Sequence, residues 1–144
     1  MERMLDVAGV TAGDVVYDLG CGDGRIVVEA AKRHGARGVG IEFDLRLCEE
    51  ARDLARREGV SDRVEIRHED VMLSDISDAT VVTLYLLPFA NDRLKPKLLA
   101  LRPGTRIVAH NYGFEGWTPE RRETVSVRDL EDHTVLLWRV PQGR

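Results

Sequence analysis

The sequence lacks several features that would each have settled its class. It has only two cysteines, Cys21 and Cys48, too few and too far apart for a zinc site. Nothing in that number points to an oxidising compartment. No apolar run approaches the roughly 20 residues a membrane helix needs. The opening Met1-Glu2-Arg3-Met4-Leu5-Asp6 is charged at once and lacks the apolar core of a signal peptide. A cytoplasmic protein without membrane contact is therefore expected. Net positive charge is missing too: the formal charge of -4 weighs against the phosphate attraction that drives nucleic-acid binding. It suits a basic protein or a small neutral substrate better. Apart from carboxylates, no acid, base and nucleophile stand at a defined spacing.

What is present is the composition of a soluble globular chain, 43% hydrophobic and 32% charged over 144 residues. One domain, 1–144, is expected, with no internal repeat or low-complexity stretch. Short runs rich in valine and isoleucine alternate with segments whose apolar residues recur at helical spacing, the pattern of a parallel sheet covered by helices. Val15-Val16-Tyr17-Asp18-Leu19 reads as a first buried strand. Ile26, Val27, Ala30 and Ala31 then form a helix face that closes near Gly35, and Gly38 to Glu42 is strand two. Leu47, Cys48, Ala51, Leu54 and Ala55 mark a second helix, with Asp44 placed to cap it, before a third strand from Arg63 to His68.

The most apolar run, Thr80 to Leu87, is too short for a typical helix and stops at Pro88, so it predicts a central strand. The next helix carries Leu94, Leu98 and Leu101, with Pro96 fitting only near its first turn, and Arg106 to His110 is strand five. Thr124 to Val127 and Thr134 to Val140, separated by the acidic turn Asp129-Leu130-Glu131-Asp132, read as a hairpin. Met4, Leu5 and Ala8 share one face of a short leading helix. The expected fold is α/β: a Rossmann-like, doubly wound, three-layer sandwich. Its seven-stranded sheet is mostly parallel, with five strands in βαβ succession and an antiparallel closing strand.

The chemistry concentrates where strand one turns into a helix, at Asp18-Leu19-Gly20-Cys21-Gly22-Asp23-Gly24-Arg25. Its glycines allow a tight turn and close approach of a ligand to the backbone at Gly20, Cys21 and Gly22. A dinucleotide fingerprint would place its third glycine where Arg25 stands and would meet a pyrophosphate with uncharged backbone. Asp18 and Asp23 flank the turn instead. Two carboxylates repel a pyrophosphate but suit an ammonium and a sulfonium, the cationic groups of S-adenosylmethionine.

Glu42, about twenty residues on, is placed to accept hydrogen bonds from both ribose hydroxyls. Phe43 either lies against the adenine or packs without a ligand. Asp70 and the Val71 N–H, just past strand three, are placed to accept from and donate to the adenine edge, the alternative for Asp70 being an ordinary loop acid. Tyr85, at the end of strand four, either borders the transferring methyl as the candidate catalytic residue or is a core tyrosine. Among four histidines, only His110 ends a central strand, and a structural role is the expectation there. Trp117 either walls the substrate entrance or plugs a hydrophobic gap. No Asn-Pro-Pro-Tyr-like segment follows strand four, and Leu86-Leu87-Pro88-Phe89 is too apolar to read an extruded base. No metal ligand is assigned.

The chain resembles the class I S-adenosylmethionine-dependent methyltransferases, and within them the small archaeal protein-lysine methyltransferases and their mitochondrial relatives. The resemblance is carried by Val16 to Ile26, Asp78 to Leu87, Leu94-Lys95-Pro96-Lys97-Leu98, Arg102 to Val108, Gly116-Trp117 and His133-Thr134-Val135. The glycine turn marks the superfamily, whereas the strand-four and Lys-Pro-Lys segments look specific to the subgroup. The resemblance implies S-adenosylmethionine as cofactor, with contacts at Asp18, Gly20, Gly22, Glu42 and Asp70, and methylation of lysine side chains on proteins. Relatives carry a longer N-terminal segment with a fuller first helix, within which Met1 falls here, so a more open cofactor pocket is expected. Two other readings stay in play: a methyltransferase of small molecules, and a cofactor-binding module incomplete until it meets a partner.

Overall fold

The computed structural model describes residues 2–126 and 132–142. The chain runs α1 (Glu2–Ala8), β1 (Val15–Leu19), α2 (Arg25–His34), β2 (Arg37–Glu42), α3 (Leu45–Arg57), β3 (Val64–His68), β4 (Val81–Leu84), α4 (Pro88–Leu99), β5 (Arg106–His110), β6 (Arg121–Ser126) and β7 (Asp132–Arg139). One seven-stranded sheet has the order β3-β2-β1-β4-β5-β7-β6. The first five strands are mutually parallel, and β7 inserts antiparallel between β5 and β6. The acidic turn expected between the last two strands lies largely outside the described residues.

Strand alternation assigns the two faces. Val16, Val81, Val108, Val135 and Leu137 pack with Met4, Leu5 and Ile26 beneath α1 and α2. Tyr17, Leu19, Val82, Leu84, Ile107, Leu136 and Trp138 point the other way, against Leu94 and Leu98 of α4. Period-two side-chain geometry thus turns near-continuous apolar strands into two cores, one on each side of the sheet. Burying each Leu or Ile contributes about 1.5–3 kcal/mol. Helix ends follow local chemistry. Asp44 caps α3 by accepting from the N–H groups of Arg46 and Leu47, while Gly35 closes α2 in the left-handed conformation.

Three expectations need correcting. Strand four is only Val81–Leu84, because Tyr85, Leu86 and Leu87 leave the ladder and run as a loop into α4. That helix begins at Pro88, where proline's missing N–H and fixed φ suit the first turn, so Pro96 sits in the helix interior rather than near its start. The succession is also not βαβ throughout. Residues 69–80 connect β3 to β4 without a helix and cover the sheet with Ile76 and Ala79. No described helix is long and apolar enough to cross a membrane.

Candidate active site

Parallel strands bring the carboxyl ends of β1 to β5 to one edge of the sheet. The order reverses between β1 and β4, the switch point where open α/β sheets bind ligands. Asp18 and Thr83 are register partners across that point, and the Thr83 hydroxyl donates to Asp18 Oδ1 at 2.8 Å. Asp18 is only 2% exposed. Burial, opposed by the Thr83 hydrogen bond and reinforced by the charges of Glu42 and Asp23, pushes its carboxyl up to about 7.

The turn that follows is left-handed at Gly20, Gly22 and Gly24, with φ of 77°, 57° and 85°, a sequence of conformations that side chains with a Cβ rarely adopt. Nothing lies within 4 Å of where a Cβ on Gly22 would stand, so that position faces open space. Glu42 braces the turn from β2. Its Oε1 accepts from the Gly22 N–H at 2.9 Å and its Oε2 from the Asp44 N–H at 3.0 Å. Among the described residues no Lys or Arg pairs with Asp18 or Glu42. An acidic cleft whose carboxylates meet only neutral donors fits a cationic group, so the residues present suit the ammonium and sulfonium of S-adenosylmethionine.

Asp23 differs from this pair. It binds Arg25 through Nε at 3.1 Å and Nη2 at 2.7 Å on an exposed surface, and that guanidinium holds its carboxyl below the usual range. The two-carboxylate argument from sequence is corrected accordingly: Arg25 offsets much of the Asp23 charge, and Glu42 is the second uncompensated acid. Cys21 turns its thiol into the protein. A Cβ on Gly40 would come within 2.6 Å of Cys21 Sγ, so a glycine on β2 makes room for it. Burial pushes the Cys21 thiol up, which keeps it protonated.

Phe43 is 74% exposed beside the cleft, its ring tilted toward His68 at 6.3 Å. Asp70 starts a turn, its Oδ1 accepting from the Met72 N–H at 2.9 Å, and Val71 packs partly against the core. The carboxyl ends of β4 and β5 are unlike this acidic side. Tyr85, Leu86, Leu87, Phe89, Ala90, His110, Asn111 and Tyr112 enclose an open, mostly apolar cavity of about 380 Å³. Tyr85 is half exposed there, its ring stacked on His110 at 3.9 Å and 7°. It is not a core tyrosine. Leu86 reaches back over the glycine turn, 3.2 Å from where a Cβ on Gly20 would stand, and so joins the two sides. Trp117 plugs a gap: it packs on Phe114 and Trp138, and its carbonyl accepts from Trp138 Nε1 at 3.0 Å.

Sequence reasoning missed three residues here. Thr83 escaped because its partnership with Asp18 exists only in the strand register. Asn91, fully buried in α4, donates to the carbonyls of Tyr112 and Gly113 and fixes the far wall of the apolar cavity. His133 Nδ1 lies 2.6 Å from His110 Nε2, a contact created by the insertion of β7 beside β5. No spacing in the sequence could have shown these contacts.

Comparison with known proteins agrees with this geometry. The family model described as the ANTKMT methyltransferase domain matches residues 18–121. The chain is 44% identical to a protein-lysine N-methyltransferase of Saccharolobus islandicus, covering 96% of this chain and 86% of that protein. It is 35% identical to an ATP synthase lysine N-methyltransferase of Rattus norvegicus, covering 83% of this chain and 55% of that one. A crystal structure described as an RNA methyltransferase from Salinibacter ruber, in complex with S-adenosyl-L-homocysteine, superimposes with a TM-score of 0.91 at 50% identity. That match covers 99% of this chain and 91% of the other.

Proposed function

Because the chain belongs to the ANTKMT methyltransferase family, an S-adenosylmethionine-dependent methyltransferase family, we propose that it transfers methyl groups to lysine side chains of proteins. The observation that carries this reading is the apolar cavity at the carboxyl ends of β4 and β5, beside the acidic glycine turn. An aliphatic lysine stem suits its walls, and Tyr85, Phe89 and Tyr112 offer ring faces to the cationic head. The relatives are described with different acceptors, protein lysine in two and RNA in a third. The apolar lining of Leu86, Leu87 and Phe89 and the net charge of -4 favour lysine over a polyphosphate chain. With this reading go a cytoplasmic location and no membrane or nucleic-acid partner.

S-adenosylmethionine supplies a methyl group already activated by its sulfonium, so the protein's task is positioning and charge. Asp18, beneath the turn, sets a negative potential for the cofactor's cationic end, and the backbone of Gly20, Cys21 and Gly22 lets that end approach closely. Asp23 adds the remainder of its charge at the rim. Glu42 keeps acceptor capacity for the ribose hydroxyls while it braces Gly22. Phe43 covers the adenine, with Asp70 and the Val71 N–H at its polar edge. Tyr85 directs the incoming amine from the acceptor side.

The test is a lysate incubated with labelled methyl donor, then digested with protease or nuclease. Label released by protease and found on lysine supports the proposal. Label released by nuclease favours RNA, label confined to small molecules favours a small acceptor, and donor binding without label indicates a module that needs a partner.

A further inference from the structure

A lysine acceptor enters as an ammonium, and its nitrogen attacks only after losing a proton. Among the described residues no carboxylate lines the apolar cavity. The imidazole pair stands at its inner end. His110 lines this cavity and also a second one of about 240 Å³, where it meets His133, Arg3, Met4 and Val125. Tyr85 borders both, stacked flat on His110. His110 Nε2 and His133 Nδ1 lie 2.6 Å apart, so one of them donates and the other accepts. Two rings that bridge two cavities through one direct hydrogen bond have the geometry of a proton path.

We propose, on the basis of the lysine reading above, that His110 and His133 form a relay that carries the proton of the acceptor ammonium from the apolar cavity to the cavity beside α1. The N–H bond of the ammonium breaks and leaves its electron pair on the nitrogen, while the proton bonds to His110 Nδ1. The proton on His110 Nε2 passes to His133 Nδ1, and the proton on His133 Nε2 leaves to water. Both rings end in the opposite tautomer, and exchange with solvent resets them between turnovers.

The surroundings suit transit rather than storage. Burial and the neighbouring His133 hold His110 down to about 4, so the pair is neutral and does not repel an entering ammonium. The groups that face it are the Tyr85 hydroxyl side from the β4 end, His133 from β7, Arg3 from α1 and the amino-terminal charge. Arg3 is engaged by Glu123 of β6. The apolar walls lower the acceptor amine's own pKa, which narrows the gap the proton must cross.

The experiment compares the intact protein with His133→Gln on a lysine-bearing polypeptide, at saturating donor, from pH 7 to pH 10. Glutamine keeps a hydrogen-bonding partner for His110 but passes no proton. The expected result is a kcat about 100-fold lower at pH 7, a deficit that shrinks toward pH 10, where lysine nears its ordinary pKa of about 10.4, and recovery at pH 7 on adding imidazole. Equal loss at every pH without imidazole rescue overturns the relay. The wild-type protein supplies a measurement that needs no variant: a solvent deuterium effect on kcat at pH 7 whose proton inventory is curved supports two protons in flight, and its absence overturns the relay. If the wild-type protein methylates no lysine, the lysine reading falls and the relay with it, whereas a failed pH or isotope result against robust lysine methylation removes the relay alone.

Discussion

The two sides of the sheet edge are built on opposite plans. At β1 and β2 the site is acidic and already braced: Asp18 is held by Thr83, and Glu42 is held by the N–H groups of Gly22 and Asp44. At β4 and β5 it is apolar and open, with Tyr85, Leu87, Phe89 and Tyr112 all substantially exposed. The braced side costs stability in the free protein, since Asp18 is a buried acid with no cation beside it. The open side costs little and can admit different side chains. A fixed charge pattern recognises a constant cofactor, and a greasy, loosely lined mouth accepts a long aliphatic amine whatever sequence surrounds it.

This contrast can be broken by substitution. The largest effect is expected for Asp18→Ala, which should raise the donor Kd about 100-fold or more, the scale of leaving a buried charge without its partner, with little change in acceptor KM; calorimetry and steady-state kinetics read the two separately. Glu42→Ala should weaken the donor about tenfold, the worth of one or two hydrogen bonds to a charged group. A change confined to acceptor KM in either variant would erase the division of labour. On the open side, Tyr85→Phe should lower kcat a few-fold while leaving donor Kd unchanged. Phe89→Ala should raise the KM for a lysine polypeptide by a similar factor through lost apolar contact.

Stability sharpens the comparison from the other direction. The carboxyl of Asp18 is raised in the folded state from the ordinary 3.8 to about 7. Its contribution is therefore fully present below pH 4 and is lost as pH rises through 7, where the buried group must ionise. Asp18→Asn should accordingly raise the Tm of the free protein at pH 8 by a few degrees while weakening donor binding. A lower Tm would mean that the carboxylate is held by something other than the Thr83 hydroxyl and neutral turn.

How far the sequence reveals this molecule differs along the same divide. Asp18, the glycines and Glu42 are close in the chain, and the strand–turn–helix grammar places them without tertiary knowledge. The sheet was legible for the same reason, because Val and Ile runs and capping residues act locally. Reading failed where distant elements decide. Tyr85 to Leu87 are apolar enough for a strand, yet Pro88 is used as a helix start and pulls them out of the ladder. Pro96 looked like a helix beginning because the propensity against interior proline is strong, but the helix packing through Leu94 and Leu98 prevails. The charge of Asp23 was overcounted, since Arg25, two residues on, was read as a spacing signal rather than as its partner. The His110–His133 contact depends wholly on where β7 inserts.

The most direct test of the acidic cradle is a titration of S-adenosylmethionine into the wild-type protein and Asp18→Asn at pH 6 and pH 8, each in two buffers of different ionisation enthalpy. Because a bound cation favours the ionised carboxylate, the wild-type protein should bind more tightly at pH 8 and release part of a proton at pH 6, and the variant should bind weakly at both without proton release. Equal affinity in the two proteins, with no pH dependence in either, would contradict the claim that Asp18 supplies the counter-charge for the donor.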